Sequence, residues 1–117
     1  MHARSQLGRR GEDAACDLYS RLGFQVVERN YRAGRGEIDV VARRGDVLVF
    51  CEVKTRRSDQ WGLPAEAVDR AKQARLRRLA AAWMAERKPG YVDVRFDVVS
   101  VIVRGDRTDV THVPDAF

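Results

Sequence analysis

The sequence predicts one α/β domain, residues 1–117, in which a central mixed β-sheet is flanked by helices. Residues 7–22 and 64–87 carry apolar side chains at helical spacing, whereas the other segments are rich in β-branched residues and bounded by glycine turns. The segments follow the order α-β-β-β-α-β, and a helix between two strands indicates a crossover with parallel pairing. At 117 residues the chain is long enough for one modest core.

The first helix is predicted over residues 7–22. Its apolar residues recur at helical spacing, at Leu7, Ala14, Ala15, Leu18 and Leu22. Gly23 follows as the expected C-terminal cap. Gly8 and Gly11 weaken the first turns, but they also let this end of the helix approach another backbone closely.

Three strands are predicted over residues 24–32, 37–43 and 47–55. Residues 33–36 (Ala-Gly-Arg-Gly) form a turn between the first two strands. Residues 45–46 (Gly-Asp) are typical of a two-residue hairpin loop between the second and third. We therefore expect the three strands to form an antiparallel meander.

A second helix is predicted from Pro64 to about Arg87, followed by a break at residues 89–90 (Pro-Gly). Residues 92–103 are rich in β-branched side chains and predict a buried strand. The helical crossover places this strand parallel to the third strand. A further glycine turn then leads to a short edge strand near residues 110–113.

The hairpin register is expected to bring four charged residues together. With residues 45–46 as the loop, Asp39 lies opposite Glu52, and two residues further from the loop Glu37 lies opposite Lys54. Because side chains alternate along a strand, all four are predicted to project from one face. The opposite face is predicted to be wholly apolar, formed by Ile38, Val40, Ala42, Val49, Cys51 and Val53.

An opposed Asp39–Glu52 pair needs compensation, because two carboxylates with Cβ atoms about 5 Å apart repel each other. A divalent cation can bridge both groups, and Mg²⁺ prefers oxygen ligands. A metal bound here can activate water and hold a phosphoryl oxygen, while Lys54 stabilises developing negative charge. The alternative is a solvated charged patch, in which Glu37 pairs with Lys54 and Arg35 offsets the charge of Asp39.

Two helical residues also fit such a site. Glu12 lies at the margin of the first helix's apolar face, where it is either a third carboxylate or an ordinary exposed glutamate. Lys72 interrupts the apolar row of the second helix. It either reaches the phosphate side of the cleft or extends along the core edge with its ammonium in water.

The charge pattern is compatible with a polyanionic partner. The net charge is +5, with 19 arginines against three lysines. Arginine binds phosphate bidentately and stacks on bases, although compositional bias would produce the same excess. The candidate nucleic-acid-binding residues are Arg35, Arg56, Lys72, Arg75, Arg78 and Trp61. Without such a partner, the helix arginines form only a solvated face and Trp61 is a hydrophobic plug.

Residues 1–10 are polar and basic and show no apolar signal-peptide core, and no apolar run approaches the roughly 18 residues of a membrane helix. A cytoplasmic protein without a membrane partner is therefore expected. Cys16 and Cys51 are the only cysteines, which predicts reduced thiols rather than a disulfide framework.

Residues 36–42 (GEIDVVA) and 49–56 (VFCEVKTR) resemble the core of the bacterial YraN-like family, which is assigned to the restriction-endonuclease-like, or PD-(D/E)xK, superfamily. The resemblance covers nearly the whole chain. It extends to Gly11-Glu12, to Gly62, Pro64 and Lys72, and to Arg95-Phe96-Asp97. One departure is Ile38, which stands where the superfamily usually has proline.

The resemblance implies a restriction-endonuclease-like fold and phosphodiester hydrolysis that depends on Mg²⁺ or Mn²⁺. Asp39 and Glu52 would be the metal carboxylates, Lys54 the catalytic lysine, and Glu12 an accessory acid and third metal ligand. In its compact size, and in having a helical glutamate before the aspartate, the chain is similar to archaeal Holliday-junction resolvases.

Two functional hypotheses follow. The first is a nuclease that acts on structured or branched nucleic acid, with DNA favoured over RNA. The second is a non-catalytic nucleic-acid-binding module of the same fold within a DNA-processing assembly. The presence of Glu12, Asp39, Glu52 and Lys54 favours the enzyme. A homodimer formed through the terminal edge strand would suit cleavage of two strands.

Overall fold

The computed structural model describes residues 5–59 and 68–117, which form two helices and one five-stranded sheet. The elements are α1 (Gln6–Arg21), β1 (Gln25–Ala33), β2 (Gly36–Arg44), β3 (Val47–Arg57), α2 (Arg70–Arg87), β4 (Asp93–Arg104) and β5 (Arg107–Val113). The strands lie in the order β1-β2-β3-β4-β5; β3 and β4 are parallel and the other pairs antiparallel. This confirms the predicted α/β class, meander and crossover, and is compatible with a restriction-endonuclease-like fold.

Both helices begin at a capping side chain. Ser5 accepts a hydrogen bond from the Gly8 N–H at the start of α1, and Asp69 accepts one from the Lys72 N–H at the start of α2. The continuous helix predicted from Pro64 is wrong, because Asp69 is extended (φ −70°, ψ 170°) immediately before the first helical residue. Residues 60–67 lie outside the described part of the chain.

Each helix covers one face of the sheet. On the α1 face, Tyr19 packs with buried valines of β2, β3 and β4, among them Val40 and Val99. On the α2 face, Trp83 packs edge-on against Phe50 at 5.7 Å between ring centroids. The central strands are therefore buried on both sides, as in other sheets with helices on both faces. Within residues 5–59 and 68–117, no helix is long and apolar enough to cross a bilayer.

The predicted apolar face of β2 needs one correction. Ile38 packs in the α2-side cluster, whereas Val40 packs on the α1 side. The side chains of the neighbouring strand β1 also change face at this level. Glu28 and Tyr31 lie three residues apart and would face opposite sides of a regular strand, yet both contact α2. Asn30 between them has a left-handed backbone (φ 56°), and this local twist interrupts the alternation of side chains.

A buried carboxylate ties α1 to the C-terminal strands. Asp97 is fully buried and accepts hydrogen bonds from the Tyr19 hydroxyl (2.7 Å) and from the guanidinium of Arg95 (2.9 Å). His112 Nε2 lies 2.8 Å from the same carboxylate, and the backbone N–H of Asp115 donates to it at 3.0 Å. Burial alone would raise the pKa of Asp97, but these hydrogen bonds outweigh it and hold the pKa below its usual value.

Candidate metal and nucleic-acid site

The site begins where β2 and β3 separate. Their ladder runs from Arg44–Val47 at the hairpin to Val40–Cys51, in the predicted register. Beyond that pair the expected direct pairing of Asp39 with Glu52, and of Glu37 with Lys54, does not form in this fully described stretch. Instead the Val53 N–H donates to Asp39 Oδ2, at 2.8 Å between nitrogen and oxygen. The aspartate side chain therefore satisfies a β3 backbone donor at the point where the strands diverge.

The divergence opens an acid cavity between the sheet and the start of α2. Its volume is about 290 Å³, and it is lined by Arg35, Gly36, Glu37, Asp39, Glu52, Lys72, Arg75 and Leu76. Asp39 and Glu52 thus line one cavity, although they come from strands that no longer pair at this level. Lys54 lies two residues beyond Glu52 on the regular β3–β4 ladder, half-buried and on the same strand face.

Three carboxylates meet on the α1 side of this cavity. Oxygen atoms of Glu12, Glu37 and Asp39 all lie within 4.8 Å of one another. The sequence predicts Glu12 as a third acid, but it places Glu37 opposite Lys54 and does not identify it as a member of the cluster. Its position two residues before Asp39 on the same strand is the sequence feature that could have identified it. Glu37 also forms a 2.9 Å ion pair with Arg32.

Close contact between α1 and β3 brings Glu12 into the cluster. A Cβ atom added to Gly11 would lie 1.8 Å from Thr55 Oγ1, so only glycine permits this approach. The adjacent Glu12 is buried, with 3% of its surface exposed. Arg29 Nη2 lies 3.6 Å from Glu12 Oε1 and 2.9 Å from the exposed neighbour Asp13. The α1 helix therefore delivers a buried carboxylate to the edge of the sheet.

Crowding of the acids changes the protonation of Asp39. Burial and the charge of Glu52 raise the pKa of Asp39 to about 8, and a hydrogen bond with Glu37 contributes further. The hydrogen bond from the Val53 N–H acts in the opposite direction. Without a cation, the raised pKa means that Asp39 keeps its proton to higher pH than an ordinary aspartate does. A cation would reduce the repulsion among these carboxylates. Their oxygen atoms are the kind of ligand that a divalent metal such as Mg²⁺ prefers.

Glu52 contacts α2 in the acid cavity. Lys72 Nζ lies 3.1 Å from Glu52 Oε1, and the glutamate side chain is only 12% exposed. Lys72 therefore reaches into the cavity from α2, and its ammonium contacts an acid rather than only water. The predicted apolar row continues on α2 with Leu76, Leu79 and Trp83, which are all buried in the α2-side core. Val68, which begins the predicted row, is buried in the same core but precedes the helix.

An arginine groove continues from the acid cavity. This second recess, about 470 Å³ in volume, is lined by Ala33, Gly34, Arg35, Gly36, Arg75, Arg78 and Leu79. It shares Arg35, Gly36 and Arg75 with the acid cavity. Among residues 5–59 and 68–117, no hydrogen bond or ion pair engages the guanidinium groups of Arg35, Arg75 or Arg78. The structure thus brings together three of the predicted nucleic-acid-binding arginines.

The remaining candidates lie elsewhere. Arg56 is half-buried near the end of β3, opposite Ile102 of β4, and lines neither the acid cavity nor the arginine groove. Trp61 lies outside the described residues. Arg77, on the same helix as Arg75, stacks 4.9 Å above the Phe96 ring and so faces away from the groove. The basic face predicted for α2 is therefore divided between two surfaces.

Comparison with other proteins shows the family to which this chain belongs. The model of the uncharacterised protein family UPF0102 matches residues 11–101. A UPF0102 protein of Dictyoglomus thermophilum is 45% identical over 114 residues, which cover 96% of this chain and 97% of that protein. UPF0102 proteins of Streptomyces griseus (53% over 115 residues, covering 96% and 95%) and Rhodococcus opacus (46% over 112 residues, covering 95% of each) are also similar. The chain belongs to the UPF0102 family, the YraN-like family that its motifs resemble.

Proposed function

We propose that this protein is a Mg²⁺- or Mn²⁺-dependent nuclease that hydrolyses phosphodiester bonds in structured or branched nucleic acid, with DNA favoured over RNA. The observation that carries the proposal is the continuity of an acid cavity with an arginine groove. A nucleic-acid backbone needs cationic partners for its phosphates, and its hydrolysis needs a site where a metal and water can act on one phosphate. The two adjoining recesses supply these two environments.

The carboxylates of the cavity divide the metal-binding role. Asp39 would hold the ion together with Glu52, which lines the same cavity. Glu12 and Glu37, whose oxygens lie within 4.8 Å of that of Asp39, would complete the set. The metal would lower the pKa of a bound water and polarise a phosphoryl oxygen. Lys54, on the same strand face as Glu52, would stabilise the negative charge that develops on the phosphate. The Val53 N–H orients Asp39 by donating a hydrogen bond to one of its oxygens.

A non-catalytic nucleic-acid-binding module is the competing hypothesis. Such a module needs the arginine groove, but it has no use for buried acids that repel both each other and phosphate. Glu12 is buried and Asp39 is half-buried, and withdrawing a carboxylate from water is costly unless it gains a counter-charge or a proton. Their convergence beside the groove favours the enzyme. We expect the enzyme in the cytoplasm, and a homodimer through the β5 edge strand would present two such sites.

The test is cleavage by the purified protein of a panel comprising single-stranded, duplex, flapped and four-way-junction DNA and matched RNA, with Mg²⁺, Mn²⁺ or a chelator. We expect metal-dependent cleavage of at least one structured DNA and none with chelator. Tight binding across the panel without cleavage in either metal would instead favour the binding module.

Removing two groove arginines should weaken substrate binding independently of sequence. In the Arg75→Gln/Arg78→Gln variant we expect the slope of log affinity against log salt to fall by about 1 to 2, because each lost phosphate contact reduces counter-ion release. Fluorescence anisotropy over a salt series measures this. Arg21→Gln/Arg107→Gln removes the same charge from exposed positions outside both recesses. Equal slopes in the two variants would show that only net charge matters.

A further inference from the structure

Lys72 occupies a position that is unfavourable for a lysine. It lies in the first turn of α2, where the helix dipole is positive and repels a cation. The described first turn itself contains no acid, although the N-cap Asp69 offsets part of this field by accepting a hydrogen bond from the Lys72 N–H. Instead the side chain turns toward the sheet and places its ammonium 3.1 Å from Glu52. The partner of the ammonium is therefore an acid of β3 and not one of its own helix turn.

The two partners differ in what surrounds them. The Glu52 side chain is 12% exposed, whereas that of Lys72 is 39% exposed. A lysine ammonium on a flexible four-carbon stem can turn toward the cavity mouth without any movement of the helix. Glu52 has no such freedom, because its strand is paired with β4 from Val47 to Arg57. Lys72 is thus the movable member of the pair.

We infer that Lys72 is an exchangeable counter-ion. It neutralises Glu52 while no divalent cation is bound, and it contacts a substrate phosphate when a divalent cation is bound. The inference rests on the proposed function, because it needs a cation at the carboxylates. An ammonium and a divalent cation repel each other and compete for the same carboxylate. Lys72 therefore leaves Glu52 when the cation binds, and the cavity mouth toward which it turns adjoins the groove that receives the phosphates.

Exchange of this kind couples metal binding to substrate binding. A phosphate that engages Lys72 frees Glu52 for the metal, and metal at Glu52 frees Lys72 for phosphate. Thermodynamic linkage requires both effects to have the same size. Lys72 thus binds phosphate in one state and competes with the metal for Glu52 in the other.

The experiment is calorimetric titration of the full chain with Mn²⁺, with and without a short oligothymidylate carrying hydrolysis-resistant phosphorothioate linkages. Lys72→Met should bind Mn²⁺ more tightly than the wild type, on the order of tenfold, because the competing charge is gone. The oligonucleotide should tighten Mn²⁺ binding several-fold in the wild type and have little effect in Lys72→Met. Lys88→Met, which removes an exposed lysine at the other end of α2, should behave like the wild type.

Unchanged or weaker Mn²⁺ binding by Lys72→Met would overturn the inference. Lys72 would then form only a structural ion pair between α2 and β3. If that variant does not fold, the wild type alone decides, since absence of coupling between Mn²⁺ and the oligonucleotide also overturns it. A wild type that binds no Mn²⁺ at all would remove the proposed function itself. The failures of the two proposals are therefore distinguishable.

Discussion

Asp39→Asn should abolish metal-dependent cleavage while raising the stability of the metal-free protein at alkaline pH. The neutral amide cannot supply the charge that binds a divalent cation, so we expect cleavage to fall on the order of 10³-fold or more. Saturating Mg²⁺ should raise the melting temperature of the wild type but not of the variant. The amide oxygen can still accept the Val53 N–H, so the backbone contact is retained.

The pH dependence has a definite sign. The folded-state pKa of Asp39, about 8, lies above its ordinary value of 3.8. The folded protein therefore holds a proton that the unfolded chain releases, and the stability of the metal-free wild type falls as pH rises between these values. Asp39→Asn should lack this contribution and melt roughly 5 °C higher than the wild type at pH 8.5, with little difference near pH 4.

Thermal melts in chelator across this pH range, together with cleavage assays, measure both effects. Asp17→Asn is the matched control, because it removes an exposed carboxylate from α1 and should change neither. A stability gain without loss of cleavage would mean that Asp39 is not part of the active site. Cleavage that persists at the wild-type rate in repurified Asp39→Asn would contradict the proposed metal set.

Gly11→Ala should destabilise the fold and weaken metal binding together. Helix propensity alone predicts a gain of up to about 1 kcal/mol for alanine. The added methyl would instead lie 1.8 Å from Thr55 Oγ1 and 2.8 Å from Thr55 Cβ, so α1 must move away from β3. We expect a net loss of about 3 kcal/mol, or a fall of roughly 10–20 °C in melting temperature. The same movement displaces Glu12 from the carboxylate cluster.

The second effect distinguishes a positioning role from ordinary packing. Under conditions where Gly11→Ala remains folded, its affinity for Mn²⁺ should fall several-fold, measured by calorimetry. Gly34→Ala is the control, because a Cβ there meets no atom within 4 Å and only the left-handed backbone (φ 61°) is strained. That variant should lose about 1–2 kcal/mol of stability and keep its metal affinity. Retained affinity in folded Gly11→Ala would show that Glu12 is not a ligand.

Local patterns predicted most of the fold. Helical spacing identified α1 within one residue at each end, and the Gly45-Asp46 loop predicted the hairpin and its register as far as Val40–Cys51. The helix between β3 and β4 predicted their parallel pairing. The early start assigned to α2 came from treating Pro64 as a helix opener, whereas Asp69 provides the cap.

The cavity itself could be predicted only in part. Strand alternation correctly suggested that Asp39 and Glu52 would share one region, and the interruption of an apolar row marked Lys72 as unusual. Alternation also misplaced Ile38, and the predicted register does not extend to Glu37 and Lys54. It assumes regular strands that stay paired, whereas Asn30 of β1 has a left-handed backbone and β2 separates from β3.

The sequence by itself determined the properties that depend on residues close together in the chain. These are the periodicities that select helix and strand, the turn that sets a hairpin register, and the residue types at the Asp39 and Glu52–Lys54 positions. The tertiary structure alone decided which distant groups meet. Gly11 and Thr55 lie in different elements, and only their contact brings Glu12 to Glu37 and Asp39. The physical reason is that local pattern follows from backbone geometry within a few residues, whereas convergence depends on how closely whole elements pack.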